Sequence, residues 1–411
     1  MAAHSDCLII GGGVMGLSIA YELSGQGLRV TVIDRTRETR QPDDAEATNQ
    51  SSATLRSPAG GRQASWAGAG IIPPAHRGPN PHFAEQLHAL SYDLHLEWAK
   101  QLLSETGIDN GLSRCGAIYL ARSLGEAAAL RANLQMFDHQ LIRARLLEQD
   151  ELLQSEPALH ALVNSGSLRA AIELPDEMQI RNPRHLQALR VACQKQQVQF
   201  VESASSDEST AIPSQIPKSQ PRFQVNNHRV IACETDGRRF SADQFVLAAG
   251  AWSFEILKSF GIALPVFPMR GQILLFRAVH LNLQRIINEG PRYVVPRGDG
   301  LFLVGSMEEE VGFQNFPTRQ GKLELLAFAQ GVLPELNADS LIDHWSGLRP
   351  ATLDGLPFVG KLSEAENLFY ATGHYRSGLT MSTGTARLIR QMMLGEPTTI
   401  DIGGLGIQRG L

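Results

Sequence analysis

An apolar run that breaks into glycines within its first dozen residues constrains this chain more than any other feature. Cys7-Leu8-Ile9-Ile10 leads directly into Gly11-Gly12-Gly13-Val14-Met15-Gly16. A helix-like stretch follows, with Ala20 and Leu23 on its inner face, and Gly27 ends it. Leu28-Arg29-Val30-Thr31-Val32-Ile33 then alternates as a second strand that stops at Asp34. Each part has a task. Gly11 allows the tight turn, Gly13 lets backbone approach a pyrophosphate, and Gly16 lets helix and strand pack closely. The helix start, with Val14 and Met15, presents N–H groups to phosphate, and Asp34, followed by Arg35, can accept a hydrogen bond from a ribose hydroxyl. A glycine-rich turn in an ordinary α/β protein would leave the terminal acid unexplained. The pattern therefore predicts dinucleotide binding, and by itself it does not separate NAD from FAD.

At 411 residues the chain is long enough for two domains. A net charge of -5 gives no reason to expect nucleic acid or an anionic membrane as partner. Cys7, Cys115, Cys193 and Cys233 are widely spaced with no CxxC, which predicts buried free thiols and no metal site. No apolar stretch approaches a membrane span, and the N-terminal run is too short for a signal peptide, so a cytoplasmic location is expected.

Two polar segments, 37–63 and 203–221, lack apolar periodicity and read as mobile surface insertions. Elsewhere helices and strands alternate. Leu87, Leu90, Leu94 and Trp98 stand at helical spacing within 83–103. Strands are expected at 116–121, 198–201, 245–250, 272–276, 293–296 and 301–304. Asn182-Pro183 reads as a cap and first helical residue leading into a helix to 196. A hairpin is expected around Thr235-Asp236-Gly237-Arg238, and a closing helix from 378 to 394.

Four further stretches narrow the ligand. Ala64-Ser65-Trp66-Ala67-Gly68-Ala69-Gly70-Ile71 is a small-residue run that permits close backbone approach to a large planar group. Val246 to Gly250, followed by Ala251-Trp252-Ser253, puts small residues at a strand end. Trp345-Ser346-Gly347-Leu348-Arg349-Pro350 holds an arginine between glycine and proline. His374-Tyr375-Arg376-Ser377-Gly378-Leu379-Thr380 opens the last helix, whose N–H groups suit an anionic reduced flavin ring.

With these motifs the sequence resembles the FAD-dependent D-amino-acid oxidase superfamily, and within it the glycine oxidases of thiamine biosynthesis. Further stretches carry the resemblance: Asp176 to Pro183, Pro268-Met269-Arg270-Gly271-Gln272, Tyr293 to Arg297, Val304-Gly305-Ser306, and Asp354-Gly355. It covers nearly the whole chain outside the two insertions, and the long insert after Asp34 departs from the family's short link. The resemblance implies an α/β (α+β overall) fold: a Rossmann-like FAD-binding domain from 1–84, 176–264 and 343–411, and an antiparallel-sheet substrate domain from 85–175 and 265–342. It implies non-covalent FAD held by Gly11, Gly13, Val14, Met15, Gly16, Asp34, Arg35, Ala64, Ser65, Ala69, Gly70, Ile71, Gly250, Trp252 and 374–380. On the same grounds Arg349 clamps the substrate carboxylate, Tyr293 hydrogen-bonds it, and Arg376 lines the pocket. The partners implied are a small amino acid and O2, in a homo-oligomer.

The chemistry agrees. A guanidinium fork holds both carboxylate oxygens, and fixing them aims the α-hydrogen at the flavin. Hydride transfer from a neutral amine needs no Asp, Glu or His base. His374 reads as a neighbour of the flavin, and Arg270 as either an ion-pair partner or a cation near it. The alternatives are a sarcosine or other secondary-amine oxidase, a D-amino-acid dehydrogenase with another electron acceptor, an NAD(P)-dependent dehydrogenase, and a non-catalytic flavoprotein scaffold. Many sarcosine oxidases attach flavin through a C-terminal cysteine, and here the last cysteine is Cys233.

Overall fold

A computed structural model describes residues 4–34, 62–202 and 220–410. Arg35 and nearly all of both expected insertions lie outside these residues. Two sheets organise the rest. The first has six strands in the order Phe358–Lys361, Leu368–Thr372, Ala242–Leu247, Ser5–Ile10, Val30–Asp34, Gln199–Glu202. Its inner strands run parallel, and only the edge pair Phe358–Lys361 and Leu368–Thr372 is antiparallel. The N-terminal strand lies between two partners and under helices, so its run Cys7–Ile10 is apolar on both faces and does not alternate. One face is covered by Val14–Ser24, Phe83–Thr106, Asn182–Lys195 and Ser382–Leu394, whose apolar sides share one core. Leu257, Ile262, Leu264 and the hairpin residues Val230, Cys233 and Phe240 cover the other.

The second sheet has eight strands in the order Leu341–Thr352, Val266–Arg277, Leu301–Gly305, Arg292–Pro296, Ile286–Glu289, Ala117–Ala121, Ala170–Leu174, Arg145–Leu147. Every pairing is antiparallel except Ile286–Glu289 beside Ala117–Ala121. Helix Arg319–Val332 and residues 147–163 close one face with a leucine-rich core. Tyr293, Ile273, Val295, Leu303 and Trp345 form the opposite face, and it meets Ala67 and Ala69. The small-residue run thus lies against the second sheet.

Most expected elements are present, and their departures have physical causes. The strand Leu341–Thr352 was not anticipated, because Ser346, Gly347 and Pro350 interrupt any alternation. It exists because it pairs along its length with Val266–Arg277, with Pro350 opposite Pro268 and Gly347 opposite Gly271. It belongs wholly to the second sheet, although the expected boundary at 343 cuts it. Helix Phe83–Thr106 lay in the segment expected to build the substrate domain. It packs on the first sheet's helices, where Ser91 Oγ accepts from the Gly384 N–H at 3.1 Å and its carbonyl accepts from Thr383 Oγ1 at 3.0 Å. Asn182 is the first helical residue and not the cap; its Nδ2 donates to the Ser65 carbonyl at 2.7 Å. The last helix begins at Ser382, because Tyr375–Ser377 forms a 3-10 turn first. The hairpin turns at Asp236 and Gly237, both with positive φ, as a two-residue connection requires. All four cysteines are unpaired, three of them buried.

Candidate active site

The nucleotide handle forms from backbone constraints. Gly11 has φ of +110°, and any side chain there would collide with the Ala248 carbonyl. A methyl group at Gly16 would strike the Gly11 carbonyl, so this helix can lie against its strand only with glycine at that position. Gly12 adds a constraint that the spacing alone did not reveal. A Cβ there would stand 2.7 Å from Asp34 Oδ2, so Gly12 makes room for the acid at the strand end. Gln63 Nε2 donates to the same oxygen at 3.1 Å, which fixes the carboxylate. The helix Val14–Ser24 starts at Gly13 without a side-chain cap from that residue, and the Val14 N–H donates to Ser65 Oγ at 3.0 Å. Gly13 is otherwise open, since its added Cβ would meet only Ser65 Oγ. A helix N-terminus, a bare glycine turn and a positioned carboxylate fit the pyrophosphate and ribose of FAD.

The small-residue run is tied down on three sides. Arg297 Nη2 donates to the Ala69 carbonyl at 2.8 Å, and Trp345 Nε1 donates to the Ala67 carbonyl at 3.2 Å. Gly70, with φ of +70°, sits too close to the Ile180 carbonyl for any side chain. Ile71–Ile72 pairs with Met178–Gln179. Among the described residues Arg297 has no carboxylate in hydrogen-bonding contact; burial, reinforced by the charge of Arg181, pushes its pKa down to about 9. From the other side comes the 374–380 loop. Thr380 Oγ1 donates to the Ile71 carbonyl at 3.3 Å, and His95 Nε2 lies 3.0 Å from the Leu379 carbonyl. His374 is buried with Nε2 3.1 Å from Thr385 Oγ1, and burial pushes its pKa down to about 3. It is a neutral hydrogen-bonding residue at physiological pH. Gly250, with φ of +55°, faces open space, and Trp252 beside it stacks on Phe313 at 5.5 Å.

Arg349 and Tyr293 meet at the second sheet. Tyr293 pairs across the sheet with Gly305, and a Cβ on that glycine would lie 2.6 Å from its hydroxyl. Arg349 lies over Gly271: a Cβ there would stand 2.5 Å from Cζ and 2.6 Å from Nη1. The guanidinium is held by the Met307 carbonyl at 2.9 Å from Nη1 and by Ser306 Oγ at 2.6 Å from Nη2. Burial lowers its pKa, while Tyr293, Tyr375 and Glu308 oppose that shift. Among the described residues no carboxylate bonds it directly, so its remaining N–H groups are open to an anionic ligand. The Gly271 and Gly305 motifs were noted in sequence; their roles as shelves were not visible, because the side chains they accommodate come from other strands.

Arg376 was expected to line the same pocket beside the flavin; its Nη1 donates to Glu308 Oε1 at 3.0 Å and its Nη2 to the Pro291 carbonyl at 3.3 Å. Glu308 was missed, and no periodicity or motif could have singled it out. Arg270 resolves as an ion-pair residue, bidentate to Glu309 at 2.9 and 3.0 Å.

Comparisons with known proteins identify the family. A family model described as FAD dependent oxidoreductase matches residues 6–392. A glycine oxidase from Pseudomonas aeruginosa is 30% identical over 394 residues, covering 96% of each chain. The bifunctional protein ThiO/ThiG of Synechocystis sp. is 32% identical over 418 residues, which span all of this chain and 55% of that protein. The crystal structure of glycine oxidase from Geobacillus kaustophilus superposes with a TM-score of 0.83 at 26% identity, covering 99% of both chains. The fingerprint cradle, the sheet face carrying Arg349 and a match from end to end lead to one conclusion: the chain belongs to the FAD-dependent oxidoreductase family of D-amino-acid oxidase type, an enzyme that uses FAD as its cofactor.

Proposed function

We propose that this enzyme oxidises a small amino acid, glycine first among them, to its imine, which hydrolyses to glyoxylate and ammonia while O2 is reduced to hydrogen peroxide. Per turnover, glycine, O2 and water give glyoxylate, ammonia and peroxide. The product serves thiazole formation in thiamine synthesis, in a soluble cytoplasmic setting; among the described residues no helix is long and apolar enough to cross a membrane. The observation that carries the reading is Arg349, a half-buried guanidinium on a glycine shelf with no carboxylate bonded to it among the described residues.

The chain's own groups would divide the work as follows. Arg349 holds the substrate carboxylate in a fork, and the Tyr293 hydroxyl donates to it from strand Arg292–Pro296 of the same sheet. Gly271 and Gly305 keep both side chains flat against the sheet. Gly11, Gly12, Gly16, Asp34, Ser65, Gly70 and the 374–380 loop would hold FAD without a covalent link. Bound FAD supplies the two-electron acceptor. With the carboxylate fixed, the Cα–H is aimed and most of the catalysis is positioning. His374 is neutral and paired with Thr385, so it positions and does not act as a base.

The test is a product balance. Purified enzyme in air is given glycine, sarcosine or D-alanine, and ammonia, methylamine, keto acid and peroxide are quantified. Equal amounts of glyoxylate, ammonia and peroxide from glycine support the reading. Turnover of sarcosine alone would move the enzyme to the secondary-amine oxidases.

A further inference from the structure

Two arginines stand at one site, and the chain treats them differently. The segment Ser306-Met307-Glu308 holds both: Ser306 Oγ and the Met307 carbonyl accept from Arg349, and Glu308 accepts from Arg376. The other end of the Arg376 guanidinium donates to the Pro291 carbonyl, two residues before Tyr293. The two cations are neighbours, since the charge of Arg376 adds to burial in lowering the Arg349 pKa. Arg349 lies within, while the side chains of Arg376 and Glu308 are 40% and 37% exposed, so their pair stands at the rim. Tyr375, at a strained φ of +46°, lies against the same carboxylate; burial and that carboxylate together raise its phenol pKa.

Left uncompensated, two adjacent guanidinium groups would attract a dianion, with one carboxylate on each. Glu308 alters that in two ways. It fills the Arg376 fork from within the chain, and it adds a negative charge where a second substrate carboxylate would have to sit. An exposed ion pair contributes little to stability, so the consequence of this one lies in which anions the site admits.

We propose that Glu308 is a specificity-determining residue that restricts the site to substrates with one carboxylate, by occupying Arg376 and repelling a second anionic group. This rests on the amino-acid reading of the site given above. It makes the enzyme selective for glycine-like monocarboxylates over D-aspartate or iminodiacetate.

The test compares flavin-loaded wild type with Glu308→Gln. Calorimetry measures binding of acetate and malonate, neither of which is oxidised, and kinetics compare glycine with D-aspartate and iminodiacetate. The substitution is expected to raise malonate affinity relative to acetate about tenfold, the effect of one released charge-assisted contact. The kcat/KM of the dicarboxylates relative to glycine should rise in parallel. Adding Arg376→Gln to Glu308→Gln should abolish the gain. An unchanged malonate-to-acetate ratio in Glu308→Gln, or a gain that survives loss of Arg376, overturns the proposal. A changed ratio without oxidation of any amino acid upholds the role of Glu308 and removes the proposed substrate class. Glycine oxidation with an unchanged ratio does the reverse.

Discussion

Substituting Gly271 by alanine separates binding from folding at this site. The new Cβ would stand 2.5 Å from Arg349 Cζ and 2.6 Å from Nη1, where ordinary contact begins at 3.4 Å. The guanidinium must therefore move by about 1 Å, and its two anchors, at 2.6 and 2.9 Å, cannot both be kept. The obstructed atoms are the far end of a flexible side chain, and Gly271 lies in a strand at ordinary φ, so the fold can absorb the change. The carboxylate fork cannot. Losing one well-aimed, charge-assisted hydrogen bond costs about 1.5–3 kcal/mol, or about tenfold to a hundredfold in affinity. Flavin-loaded Gly271→Ala should keep its visible spectrum and an unfolding midpoint near that of wild type. In the same titration, acetate should bind that much more weakly. Acetate affinity within twofold of wild type would refute the reasoning, and so would collapse of the fold.

Other expectations follow from the same geometry. Gly12→Ala should weaken flavin binding by pushing Asp34 from its seat, as equilibrium dialysis would report, whereas Gly16→Ala should fail to fold stably because the obstruction there is backbone; tight flavin binding in either variant would contradict this. Burial pushes His88 and His95 down to about 4 and His185 and His374 down to about 3, so these residues stay neutral in the folded state. Stability they preserve is complete above the unfolded value near 6.5 and is lost as pH falls toward 4, each residue adding a slope of up to about 1.4 kcal/mol per pH unit. Urea unfolding at pH 7, 6 and 5 should show the decline, and a flat profile would count against buried neutral histidines. Glu177 behaves oppositely: burial raises it to about 7, partly offset by Tyr119 and Asn288, so the stability linked to its proton is present below about 4.5 and lost as pH rises through 7. Glu177→Gln should therefore raise the melting temperature at pH 8 more than at pH 5; an equal shift at both would remove the cause.

The parts of this molecule that were legible in sequence are those dictated by one segment's own backbone. Gly11 and Gly16 announce themselves because no other residue fits a turn that tight or a helix that close, and Asp34 is marked by ending the second strand. The helix Phe83–Thr106 was legible because Leu87, Leu94 and Trp98 repeat at its period, although not the sheet it would cover. What was hidden depends on pairing between distant segments. The strand Leu341–Thr352 has no pattern of its own and forms on Val266–Arg277. Gly271 and Gly305 are ordinary strand glycines until Arg349 and Tyr293 are laid over them. Asn182 looks like a helix cap, and tertiary contact turns it toward the Ser65 carbonyl. That Arg376 pairs with Glu308 was hidden because Glu308 lies 68 residues away in sequence.

The central claim is that Arg349 presents a small amino acid to an FAD held by the N-terminal cradle. Anaerobic mixing of the flavin-loaded enzyme with glycine, followed at the visible flavin absorbance, tests it directly. Wild type should bleach rapidly. Arg349→Ala should retain flavin and bleach only at far higher glycine. No bleaching of the wild type by glycine, sarcosine or D-alanine, or equal glycine dependence in the two proteins, would contradict it.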